Sequence, residues 1–112
     1  MNATAKGCCN RCCETRAACL TTMQWCLNRG GKLADAKLCM TLVECAQLCQ
    51  ICADACCTGS ERCLLAAAAC AKACDDSARA CDAMCEPTLS ACSRGLRDCA
   101  AACRTLLETG LA

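Results

Sequence analysis

Four stretches of this chain repeat at steps of three, four and seven residues, the spacing of a helix's inward face, and cysteine fills most of the repeating positions. The first stretch carries Cys8, Cys12, Cys19 and Cys26, and the second carries Cys45, Cys49, Cys52 and Cys56. The third carries Cys63, Cys70, Cys74, Cys81 and Cys85, and the fourth Cys92, Cys99 and Cys103. At about 100° per residue, each set stays within a stripe about 60° wide. Three breaks separate the stretches. Asn28-Arg29-Gly30-Gly31 is a helix stop with glycine available for a left-handed cap. Thr58-Gly59-Ser60 is a tight turn whose serine can cap the third helix, and Glu86-Pro87 places the only proline in a new first turn. The spacing predicts helices over about 3–28, 33–57, 60–85 and 87–109. Connections this short favour antiparallel neighbours. The expected fold is all-α, a single up-down-up-down four-helix bundle with the striped thiols at its axis.

Composition narrows the class further. The 112 residues suffice for one compact domain. Aromatic content is 1%, from Trp25 alone, while Ile51 and Val43 are the only isoleucine and valine, so a β fold lacks its usual material. Twelve Lys+Arg against eleven Asp+Glu leave a net charge of +1, which recruits neither nucleic acid nor an anionic membrane. The segment Met1 to Gly7 has no apolar run before the first cysteine pair, and the longest such run, Cys63 to Ala71, is too short to span a bilayer. The expected compartment is the reducing cytosol, where thiols stay thiols.

Twenty cysteines without a single histidine define the chemistry. Seven Cys-x3-Cys pairs occur: Cys8/Cys12, Cys9/Cys13, Cys45/Cys49, Cys52/Cys56, Cys70/Cys74, Cys81/Cys85 and Cys99/Cys103. Residues four apart on a helix have Cβ atoms about 5–6 Å apart, too far for a disulfide's roughly 3.5–4.5 Å. A bridging metal spans that gap. All-thiolate ligation selects soft ions, chiefly Cu(I), Zn(II) or iron–sulfur clusters. Iron–sulfur clusters use loop-borne cysteine runs, which are missing here. Separate tetrathiolate zinc sites would each leave about −2 in the interior, at high cost. Cu(I), a monovalent ion accepting shared sulfurs, can approach one metal per thiolate and leave the filled core nearly neutral. Many Cu(I) ions per chain are therefore expected. Zinc or cadmium sequestration, and a structural bundle stapled by disulfides between helices, remain the alternatives.

Cys39-x5-Cys45-x3-Cys49 and the succession of Cys-x3-Cys pairs through the third and fourth helices resemble the copper storage proteins, small cysteine-rich four-helix bundles. The resemblance covers nearly the whole chain. It implies Cu(I) stored along the bundle axis, entry at one open end and a homotetrameric assembly. Two features depart from the pattern: no histidine stands near a mouth, and cysteines are doubled at Cys8-Cys9, Cys12-Cys13 and Cys56-Cys57.

Four cysteines, Cys9, Cys13, Cys39 and Cys57, fall about 100° or more off the stripes and could extend the array sideways. Met23 and Met84 fall at the end where the first and third helices finish, near Cys26 and Cys85, and are soft candidate ligands for handing an ion inward. The opposite end gathers Cys8, Cys9, Cys12, Cys13, Cys56, Cys57, Cys63 and Cys103, with Leu64, Leu65, Leu106 and Leu107 as candidate plugs. Entry is therefore expected at the methionine end, and the most bridged cluster at the crowded end. Met40, Val43 and Ile51 form an outer apolar strip on the second helix that suits a subunit contact. Without histidine there is no Cys-His or Ser-His pair, and no enzyme is expected.

Overall fold

The computed structural model describes residues 2–110. Four helices follow one another: α1 (Ala3–Arg29), α2 (Ala36–Thr58), α3 (Cys63–Asp82) and α4 (Pro87–Thr109). One 3-10 turn, Gly31–Ala34, precedes α2. Helix α1 packs on α2 and α4, and α3 packs on the same two, while the diagonal pairs face each other across the axis. This is the up-down-up-down bundle, 47 Å long and 19 by 17 Å across.

Local chemistry sets the ends. The Asn2 side chain accepts from the Ala5 N–H at 2.7 Å and starts α1. Helix α2 begins three residues later than its stripe suggests, because Asp35 caps it by accepting from the Leu38 N–H at 2.9 Å. Gly59 closes α2 at φ 66°, a left-handed conformation that glycine adopts without steric cost. Ser60 does act as a cap, but of a turn. Its hydroxyl accepts from the Arg62 N–H and its carbonyl from the Cys63 N–H, both at 3.1 Å, so α3 starts at Cys63 and not at 60. Pro87 opens α4 as expected, with the Glu86 carboxylate accepting from Thr88 and Leu89.

The end of α3 differs from expectation. A residue before proline is driven to extended backbone, and Glu86 is extended at φ −129°. The chain must leave the helix earlier to reach it. Helix α3 stops at Asp82, and Cys85 sits exposed in a turn at φ 52°. Cys85 is therefore not on the core stripe, and Cys81/Cys85 is not a helical pair.

Fifteen of the sixteen striped cysteines are buried, each at 7% exposure or less. Leucine shares the core unevenly. Among the described residues, Leu38, Leu42, Leu89 and Leu96 are buried in the half that contains the start of α2 and the start of α4, whereas only Leu106 is buried at the other end. Of the other expected plugs, Leu64 is half-buried and Leu65 and Leu107 are exposed. Helix α2 is long and apolar enough to cross a bilayer, with a mean hydropathy of 1.3. That apolarity is its inward row of thiols and leucines together with the outward Met40 and Ile51, which are 56% and 55% exposed.

Candidate metal centre

Thiols from all four helices meet on the axis because the inward positions of neighbouring helices interdigitate at matched heights. Most close sulfur contacts run between helices. Cys8 lies 3.9 Å from Cys52 and 3.7 Å from Cys103. Cys12 lies 3.9 Å from Cys70 and 3.8 Å from Cys99. Cys70 lies 3.7 Å from Cys49 and 4.0 Å from Cys74, and Cys74 continues to Cys45 at 3.8 Å. At the α2–α3 turn, Cys56 and Cys63 approach to 3.1 Å. All twenty cysteines are free thiols, so the disulfide-stapled alternative finds no bridge here.

Three groups of four sulfurs lie within 4.8 Å of one another: Cys8, Cys12, Cys52 and Cys103; Cys12, Cys70, Cys99 and Cys103; and Cys49, Cys70, Cys74 and Cys99. All are fully buried. The middle group borrows two members from each neighbour, so eight thiols make a continuous channel of ligands. Of the eight thiols expected at the crowded end, Cys8, Cys12 and Cys103 belong to these groups, and Cys49, Cys52, Cys70, Cys74 and Cys99 complete them. Such groups can bind metal as thiolates, with sulfur spacings close to the roughly 3.8 Å that a tetrahedral site with about 2.3 Å bonds requires.

Beyond this channel, toward the leucine half, the ligands thin out. Cys19 neighbours Cys45 and Cys92, and Cys81 neighbours Cys92. Between them stand buried hydroxyls, Thr15, Thr22, Ser77 and Ser93. These were not among the expected inward residues, although Thr15 and Thr22 continue the three-and-four spacing of Cys12, Cys19 and Cys26. Cys26 lies near Cys39, which is half-buried. Met23 and Met84 are half-buried and packed on the core at this end.

Thiol protonation follows the contacts. Hydrogen bonding with Cys103, Cys12 and Cys49 pulls the Cys70 thiol down to about 6. Donation from Cys19 and Cys81 likewise lowers Cys92. The donors move the other way: Cys12 is raised by its bonds to Cys103 and Cys52, and Cys74 by those to Cys45 and Cys49. The empty array therefore shares its protons, and a cation entering it displaces them.

Off the axis, Cys13 and Cys57 are exposed and Cys9 is half-buried. Burial, then Cys13, Cys57 and Cys8, push the Cys9 thiol up. The carboxylates face outward: Asp76 pairs with Lys72 at 3.1 Å and with Arg79, and Asp82 with Arg97 at 2.6 Å. Surface pairs of this kind contribute about 1 kcal/mol at most.

No family model matches the sequence, and no curated protein does. In structure the chain is similar to the Nmul_A1745 protein from Nitrosospira multiformis. Its crystal structure superposes with a TM-score of 0.89 at 25% identity, over 98% of this chain and 100% of that one. The likeness is one of fold: an all-α four-helix bundle.

Proposed function

We propose that the protein stores Cu(I), many ions per chain, along its thiol-lined axis. The observation that carries this reading is the sharing of ligands among the three sulfur groups. Zinc, the second reading, suits their four-thiol size. Only the first and third groups can be filled together without sharing, however, which uses eight thiolates for two ions and leaves −2 at each site in a dry core. Cu(I) turns the sharing to use, because a bridging sulfur serves two monovalent ions and the charges cancel. The resemblance to copper storage proteins supports the same reading. The same reading places the protein in the cytosol, which keeps ligands reduced. A homotetramer would cover the outward Met40, Val43 and Ile51. The reading is one of storage and not catalysis because the sequence has no histidine to serve a cysteine or serine nucleophile as base.

Anaerobic titration with Cu(I) tests this. The expected load is well above ten ions per chain, with about one proton released per ion near neutral pH, where a thiol is mostly protonated. A plateau between about two and five ions for zinc, with no higher load for Cu(I), would assign the protein to divalent sequestration. Two protons per copper would mean isolated two-thiolate sites and roughly half the load.

A further inference from the structure

The chain contains three cysteine doublets, Cys8-Cys9, Cys12-Cys13 and Cys56-Cys57, and all three lie at the bundle end formed by the α2–α3 turn. Consecutive residues on a helix point about 100° apart, so each doublet has an inner and an outer sulfur. The inner ones, Cys8, Cys12 and Cys56, are at most 1% exposed. The outer ones are the half-buried Cys9 and the exposed Cys13 and Cys57. Cys9 and Cys13 stand one turn apart on α1, and Cys57 comes from α2, which packs against α1. The three are the outer thiols of this end of the α1–α2 pair.

The other approaches to the array are poorer. At the far end Leu38, Leu42 and Leu89, each at most 4% exposed, share the core with the thiols, and the exposed Cys85 and half-buried Cys39 stand singly, without an inward cysteine beside them in sequence. A groove on the α1–α4 seam reaches Cys8 past Ala3, Gly7 and Ala102, and one on the α2–α3 seam reaches Cys45 past Thr41 and Glu44. Neither groove carries an outer thiol.

We propose that Cys9, Cys13 and Cys57 are the receiving port for Cu(I), which they accept from a soluble thiolate complex and pass to Cys8, Cys12 and Cys56. This rests on the Cu(I) reading above and reverses the entry polarity expected from the methionines. The step is ligand exchange without redox change. As a bond forms between copper and an outer sulfur, the bond to a donor sulfur breaks, and the proton leaving the cysteine thiol goes to the departing donor. In the inward step, the bond to Cys57 gives way to one with Cys56, whose proton returns to Cys57. The outer sulfur ends as a thiol, ready for the next ion.

The test is anaerobic stopped-flow uptake from a Cu(I)–glutathione complex by the full chain. Exchange rate depends on access to the attacking thiol, so C9S/C13S/C57S should load about tenfold slower or more. Its final content should fall short of wild type by about three ions at most, one for each thiol removed. M23L/M84L should load at the wild-type rate. The single variant C57S, at an exposed position, should slow uptake in the same direction and decides the matter if the triple variant misfolds. A triple variant that keeps pace with a filling wild type overturns the port alone, as does slowing in M23L/M84L only. A wild type that does not fill overturns the storage reading and the port with it.

Discussion

Replacing Cys12 and Cys70 together by alanine should cost roughly four copper ions or more, although only two thiols are lost. Cys12 belongs to the first and second sulfur groups and Cys70 to the second and third, so this pair of substitutions breaks all three. Ligands that share ions are coupled, and coupled sites lose more than the sum of their parts. The matched control is C19A/C81A, which removes two equally buried thiols that belong to none of the groups. It should cost about two ions, one per thiol, as for any pair outside a shared network. Alanine keeps helix propensity, and each small cavity costs about 1 kcal/mol, which a folded bundle tolerates. Equal losses in the two variants, measured by copper analysis after gel filtration, would show that the thiols act as separate sites.

Loading should raise the melting midpoint by tens of degrees. The empty chain should already be helical, because its caps and turns close without any ligand. A ligand that binds only the folded state adds about 4.1 kcal/mol per site at a thousandfold excess over its Kd. Three such sites add about 12 kcal/mol, and each 1 kcal/mol moves the midpoint of a domain this size by about 4–8 °C. Thermal melts followed by far-ultraviolet circular dichroism, with and without Cu(I), provide the comparison. A coil that turns helical only with copper would defeat the preformed bundle, and coincident melts would defeat storage in the core.

Much of this architecture is legible because cysteine periodicity and helix breakers agree. The stripes place fifteen inward cysteines, and Gly59 and Pro87 mark two of the three connections closely. The failures are local. Cys85 continues the α3 spacing, but the extended backbone before Pro87 ends the helix at Asp82, and a periodic pattern carries no sign of that. Asp35 shifts the start of α2 by capping it, a signal present in the sequence and outweighed there by the run after Gly31. The leucines were legible too. Leu38, Leu42, Leu89 and Leu96 continue the cysteine spacing and are buried in the other half, while of the leucines expected as plugs at the crowded end Leu106 is buried and Leu64 half-buried. Contacts between helices were beyond reach, since they depend on how the stripes align in height. The sequence shows Cys70 beside Cys74, whereas the structure adds Cys12 and Cys49 as its nearer partners.

The uneven sharing of the core between leucine and cysteine also bears on where the molecule opens. Each buried methylene contributes about 0.8 kcal/mol, and leucine brings more of them than cysteine. In the empty protein the leucine half should be the last to open and the thiol half the first. On the Cu(I) reading, filling would invert that order, because an ion held by Cys8, Cys52 and Cys103 would join three different helices. Amide exchange would then be slowest at the filled end, and a protein with identical exchange in both halves before and after loading would not have this division. The bundle holds its shape with one half and changes its rigidity with the other.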